Sequence, residues 1–236
     1  MKTLSDIIKY KKEEVNTKKK LLTLTQIKEE SSNYNPTRPF LKQIESNKSK
    51  ISIISEIKKA SPSKGVIRSD FNPVEIGQIY ERNGATCLSI LTDKKFFQGD
   101  DKFIKAVKNK VSLPVLRKDF IIDEWQIEES RYLGADCILL MLSCLSFEQA
   151  KEYEEHAFSL GMNVIVEVHD LQELELANLR SKLWDFQEIY EKLTLTVNET
   201  YEYEILTPIV TKELADTEPY EFTIWILNRG NVEDTY

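Results

Sequence analysis

Apolar positions follow two different rhythms along the chain, and the change from one to the other divides it. In residues 1–20, Leu4, Ile7, Ile8 and Val15 recur at helical spacing with lysines on the other side, which predicts an amphipathic helix. The segment SSNYNPTRP over 31–39 is turn chemistry, and a short helix is predicted over 40–47. From residue 51 short apolar runs alternate with amphipathic stretches. Strands are predicted over 51–56, 87–91, 115–118, 137–142 and 164–167, and helices over 73–83, 102–109, 124–133 and 146–160, with one more starting near Asp170. Strands alternating with helices predict parallel βα units, and strands that are apolar throughout predict a sheet covered on both faces.

After about Asn178 the pattern changes. LWDFQEIYEKL sets Phe186, Ile189, Tyr190 and Leu193 at helical spacing, whereas LTLTV, YEYEIL and YEFTIWIL alternate with a period of two, as half-buried antiparallel strands do. No glycine occurs between Gly161 and Gly230, so this tail is a poor source of a phosphate loop, where backbone must approach a ligand closely. The pattern divides the chain into a helical extension over 1–48, five βα units over 49–178, and a divergent tail over 179–236 with one helix and antiparallel strands.

Composition narrows the function classes. A chain of 236 residues that is 41% hydrophobic, with ten Phe and ten Tyr, can bury a core and is not disordered. The net charge of −7 argues against a nucleic-acid partner, which would need a basic surplus. Cys87, Cys137 and Cys144 form an odd set inside apolar runs, which predicts buried, reduced thiols. No apolar run reaches the ~18 residues of a membrane span, and the first twenty residues lack a signal peptide's apolar region. The expectation is a soluble, cytoplasmic protein with no membrane partner.

Ionisable residues interrupt the strands at telling places. Glu56 and Lys58 lie at the end of the first, two apart and so on one face; Lys118 ends the third, and Glu167 the fifth. In a βα barrel, alternate strands supply the side chains of one interior layer and active sites lie at the strands' C-terminal ends. Any one of these charges could simply mark where a strand leaves the core. Four of them on odd-numbered strands predict a cluster in which each member perturbs the others' proton affinity, as acid–base catalysis requires. The loop ASPSKG offers Ser61, Ser63, Lys64 and Gly65 to an anion, although SPS is also ordinary turn chemistry. Phe96 and Phe97, in TDKKFFQG, either pack on a ligand ring or bury a loop. His156 reads as a surface residue and His169 as structural; no ligand spacing for a metal and no glycine-rich nucleotide fingerprint occurs.

EIKKASPSKGVIR, LSILTDKKFFQG, LPVLRKDFIID, GADCILL and VEVHD, in this order, resemble indole-3-glycerol phosphate synthase of tryptophan biosynthesis over roughly residues 1–178. The resemblance implies a (βα)8 TIM-type barrel with extra N-terminal helices. It also implies a carboxy-lyase without cofactor or metal, acting on the phosphorylated small molecule 1-(o-carboxyphenylamino)-1-deoxyribulose 5-phosphate. Carried over, Lys118 resembles the general acid of ring closure and Glu167 the acid–base residue of dehydration. Lys58 resembles the group that holds the substrate carboxylate and can serve as an acid in dehydration, and Glu56 the carboxylate that orients this network. Ser61 resembles a phosphate contact, and Phe97 the lining of the anthranilate pocket.

The chain departs from the pattern at Asp100, where the family usually has Ser after the glycine, and above all after Asn178. The family's strand-six Asn and Arg, strand-seven Glu and Ser and strand-eight glycine loop are not recognisable there, and Asn228-Arg229 is not in a comparable context. Such a boundary suggests a frame change, a fusion or a replaced C-terminus, with activity impaired. A barrel so shortened would expose two sheet edges. A catalytically inactive pseudoenzyme or binding protein is the alternative, and phosphoribosylanthranilate isomerase, another barrel of the pathway, matches the Lys58, Lys118 and Glu167 pattern less well.

Overall fold

The computed structural model describes residues 3–31, 36–46 and 52–170, with Glu173 and Ala177, and the backbone of residues 201–205, 210–214 and 225–227. Helices α1 (Leu4–Leu21), α2 (Leu24–Ser31) and α3 (Phe40–Glu45) precede the first strand, β1 (Ile54–Ile57). A small hairpin of β2 (Ala60–Ser61) and β3 (Gly65–Val66) follows. Then come α4 (Pro73–Arg82), β4 (Cys87–Leu91), α5 (Lys94–Phe97), α6 (Lys102–Lys108), β5 (Val115–Lys118) and α7 (Glu124–Leu133). The series continues with β6 (Cys137–Met141), a 3-10 turn over Leu142–Cys144, α8 (Phe147–Ser159) and β7 (Asn163–Glu167). The tail contributes β8 (Tyr201–Ile205), β9 (Val210–Leu214) and β10 (Trp225–Leu227).

The sheet runs β1-β4-β5-β6-β7-β10, its first five strands parallel and in sequence order, as consecutive right-handed βα units require. This is the α/β arrangement of a TIM-type barrel through five units. At the far edge β10 pairs with β7 in the antiparallel sense, Trp225 opposite Glu167, where a sixth barrel strand would run parallel. Among the described residues no strand pairs with the other edge of β1. β8 and β9 pair with each other.

The side-chain period of two sorts each strand onto two faces. Ile57, Leu88, Ile90, Val115, Ile138, Leu140, Val164 and Val166 face the helices and form the larger core. Cys87, Leu116, Cys137, Leu139 and Ile165 face the barrel interior, where fully buried Phe40 of α3 joins them. Phe40 therefore plugs the barrel at the strands' N-terminal end. Beneath it Asp136, wholly buried, accepts hydrogen bonds from Arg38 N, Val115 N and Lys108 Nζ at 2.6–2.8 Å.

The helix ends follow local chemistry. Thr3 and Asp6 close a capping box on α1, Asn72 caps α4 with Pro73 at its first position, and Ser146 and Gln149 close a second box on α8. Gly134 ends α7 in the left-handed region (φ 89°), the conformation a glycine reaches at least cost.

Several boundaries correct the sequence pattern. The first strand begins at Ile54 rather than 51 and extends to Ile57, and the fourth predicted strand, β6, ends at Met141 because residues 142–144 turn as 3-10 helix. The N-terminal region holds a second helix, α2, that the pattern did not separate. Its Ile27 is fully buried against Val15 and Trp125, so packing on α7 sustains a polar sequence as helix. Cys87 and Cys137 are buried, but Cys144 is only partly so. His156 is not a surface residue: its ring lies between Glu128 (2.7 Å) and Glu124 (3.3 Å), with the side chain 16% exposed. The predicted helix over LWDFQEIYEKL and the LTLTV strand lie outside the described residues, as does nearly all of the helix expected from Asp170.

Candidate active site

The C-terminal ends of the parallel strands bring ionisable side chains together. On the inner face Glu56 leaves β1, Lys118 ends β5 and Glu167 ends β7, each in phase with the interior residues Ile54, Leu116 and Ile165 of its own strand. Lys58 lies one residue beyond β1 and its ammonium meets Glu56 Oε1. Lys118 Nζ lies 3.2 Å from Glu56 Oε2. One carboxylate thus holds two ammonium groups, one per oxygen. Burial alone would raise the Glu56 carboxyl, but Lys118 and Lys58 outweigh it and hold the group below the usual carboxylate range. At neutral pH the trio is a fixed anion between two cations, and both cations remain partly open to the barrel mouth.

Glu167 sits on the same edge, two strands further along the sheet than Lys118. It is 5% exposed, and its Oε1 lies 3.0 Å from His169 Nε2. Its Oε2 is buried without a hydrogen-bond partner among the described residues.

Ser61 lies in the hairpin that follows β1. Its Oγ accepts from Lys64 N (3.2 Å) and lies 3.4 Å from Ser63 Oγ, so the loop forms a small hydroxyl-lined turn. This hairpin lies against α5, whose Phe96 and Phe97 sit with Phe120 and with Ile7 of α1 in a separate apolar cluster. The Phe97 and Phe120 rings are 6.2 Å apart and tilted. Phe96 is buried and packs edge-on against Tyr10, whereas Phe97 keeps partial exposure.

An ion network that the sequence pattern did not single out fixes this mouth. Lys11 of α1 is 2% exposed, and its Nζ reaches Glu14 at 2.7 Å, Asp119 at 2.8 Å and Asp93 at 2.9 Å. Asp93 follows β4 and caps α5, and Asp119 follows Lys118 directly. Asp119 also accepts from Thr92 Oγ1 and the backbone N–H of Phe120. On the outer face of β5, fully buried Arg117 meets Glu129 (2.7 Å), Asp101 (3.2 Å) and Asp119 (3.4 Å). Burial opposes charge on each, yet Lys11 and Arg117 hold the Asp119 carboxyl far below its ordinary value, and the acids hold both bases far above theirs. The available signal was RKD: three consecutive charges ending an apolar strand cannot all face solvent.

Two loop positions follow from contact. A Cβ on Gly99 would stand 2.3 Å from the Leu91 carbonyl oxygen, so only glycine lets this loop close on the end of β4. Asp100 next to it accepts from Lys102 N (3.0 Å) at the start of α6, a task a serine hydroxyl performs equally well.

Residues 4–183 match the indole-3-glycerol phosphate synthase family. The chain is 43% identical to the indole-3-glycerol phosphate synthase of Acinetobacter baylyi over 217 residues, covering 90% of this chain and 77% of that protein. It is 48% identical to the synthase of a Polaromonas species over 183 residues (76% and 69%), and 45% identical to that of Neisseria meningitidis over 185 residues (77% and 71%). The chain belongs to the indole-3-glycerol phosphate synthase family. The family is a TIM barrel, and the five parallel βα units described above are its first five. The family match ends five residues past the motif boundary at Asn178, while the Acinetobacter alignment carries the likeness further into the tail.

Of the six residues predicted for the site, Glu56, Lys58 and Lys118 are in direct contact. Glu167 shares their face and edge but takes His169 as its partner. Ser61 and Phe97 lie in the two loops that meet over β1 and β4. Among the described residues no group of His, Cys, Asp and Glu is arranged to hold a metal, and no helix is long and apolar enough to cross a membrane.

Proposed function

We propose that this chain acts as an indole-3-glycerol phosphate synthase, a carboxy-lyase that closes the indole ring of 1-(o-carboxyphenylamino)-1-deoxyribulose 5-phosphate with loss of CO2 and water. The observation that carries the reading is the Lys58–Glu56–Lys118 trio at the strands' C-terminal edge. Ring closure needs a proton delivered to a carbonyl oxygen as it becomes an alkoxide, and a lysine held at fixed position by a carboxylate is such a donor. Lys118 fills that role. Lys58, on the other oxygen of Glu56, pairs with the substrate carboxylate until it leaves as CO2 and then protonates the departing hydroxyl. Glu56 holds both ammonium groups in position. Glu167 takes the proton lost by the new ring in the dehydration. Phe97 packs on the anthranilate ring, and Ser61 with the backbone of its hairpin takes the phosphate. Joining two ends of one substrate is largely a matter of holding them at attack distance, which a rigid strand edge does well.

The test is product fluorescence from the purified chain with that substrate, with Lys118→Ala as control. Turnover that Lys118→Ala lowers by about 10²–10⁴-fold, the usual worth of a positioned proton donor, supports the reading. A folded, monodisperse chain without turnover overturns it in favour of an inactive, binding role.

A further inference from the structure

Glu167 carries two unlike oxygens. Oε1 lies 3.0 Å from His169 Nε2, while Oε2 is buried with no hydrogen-bond partner among the described residues. A carboxylate oxygen accepts, so a hydrogen bond at this distance needs the proton on Nε2. The far side of the imidazole is held too. His169 Nδ1 lies 3.5 Å from Glu173 Oε2, and the backbone N–H of His169 donates to that same oxygen at 2.7 Å. Glu173 is itself fixed by its backbone N–H to Asp170 Oδ1 at 2.8 Å. The ring, half exposed, is thereby clamped between a buried carboxylate and an outer one.

We propose that His169 is a positioning residue for Glu167: its Nε2–H occupies Oε1 and fixes the carboxylate so that Oε2 alone is left to take a proton inside the barrel. This rests on the synthase reading above, in which Glu167 is the base of dehydration. Cys144, in the turn after β6, lies within electrostatic reach of Glu167 and Glu173, and burial pushes its thiol up to about 11.

Gln sets an amide nitrogen near the Nε2 position, so the two variants to compare are His169→Gln and His169→Ala. His169→Ala is expected to lower kcat about ten-fold or more with KM within about three-fold, because the interaction matters mainly in the transition state. His169→Gln is expected to recover most of that loss. The contact itself is read without substrate. The chain has two histidines, so a 15N imidazole spectrum above pH 8 resolves both, and Glu167→Leu should shift the His169 tautomer toward Nδ1–H, the nitrogen that faces Glu173, while leaving His156 unchanged. A His169 tautomer indifferent to Glu167→Leu overturns the proposal. So does a native enzyme whose kcat survives His169→Ala. If the tautomer depends on Glu167 but the native chain shows no turnover, the synthase reading fails and takes the positioning role with it, the contact alone standing.

Discussion

Lys11 is the side chain on which the shape of the mouth depends. It brings a single ammonium among three carboxylates with almost no solvent, so its removal strips buried Asp93 of this partner and leaves Asp119 with Arg117 alone. Lys11→Met should therefore cost about 3–5 kcal/mol of stability, the range for breaking a buried pair from one side. Urea unfolding checks this, and pairing the change with Asp119→Asn should cost clearly less than the sum of the two, because the second change removes one of the stranded charges. At this scale the sequence is readable where charge interrupts an apolar strand end: that pattern singles out Glu56, Lys58, Lys118 and Glu167, and the first three meet. Lys11 is not singled out, because on α1 it is one lysine among many and nothing local separates the buried one from the solvated ones. His169 was read as structural for a related reason. Its partner Glu173 is four residues on, but the oxygen that gives it meaning belongs to a strand face, and that face is visible only once the register of β7 is fixed.

At the scale of elements, period and caps located most helices and strands to within a few residues. What they missed were elements sustained by tertiary contact: α2, the hairpin of β2 and β3, and the single turn of α5. Each is too short or too polar to announce itself. The short helix α3 was anticipated, but its purpose was not. Phe40 closes the barrel floor against the inner residues of β4, β5, β6 and β7. Phe40→Ala would empty that floor, and thermal or urea unfolding should show a loss of about 3–5 kcal/mol. Activity measured below the new transition should fall far less than stability, since the floor and the edge that carries Glu56 and Lys118 lie at opposite ends of the strands.

For the whole molecule, the depressed carboxyls of Asp119 and Glu56 set the response to acid. Each has a folded-state pKa below its unfolded value, so the stability each contributes is fully present above the ordinary carboxylate range near 4 and is lost as pH falls through the lower folded-state values. The described body should hold its structure down to about pH 4 and lose stability steeply below it, a course that circular dichroism follows directly. Asp119→Asn should flatten that descent, because an amide has no proton to take up. The matching bases act at the other extreme: Lys11 has its folded-state pKa raised, so its contribution persists through neutral and mildly alkaline pH and fades only above the ordinary lysine range near 10.5.

The same ties impose an order on synthesis. α1 leaves the ribosome well before its last anchors do: Lys18 waits for Glu129, 111 residues on, and Lys19 for Asp123, 104 residues on. Until the third barrel strand and the helix after it have emerged, α1 has only Glu14, Asp93 and Asp101 of its counter-ions and lacks the apolar surface of Trp125 against which the N-terminal helices pack. The nascent chain must carry α1 incompletely docked through that interval, and contacts of such long sequence separation are the slow ones to form. Assembly of the mouth is thus a late event, and α1 settles only after strands made well behind it.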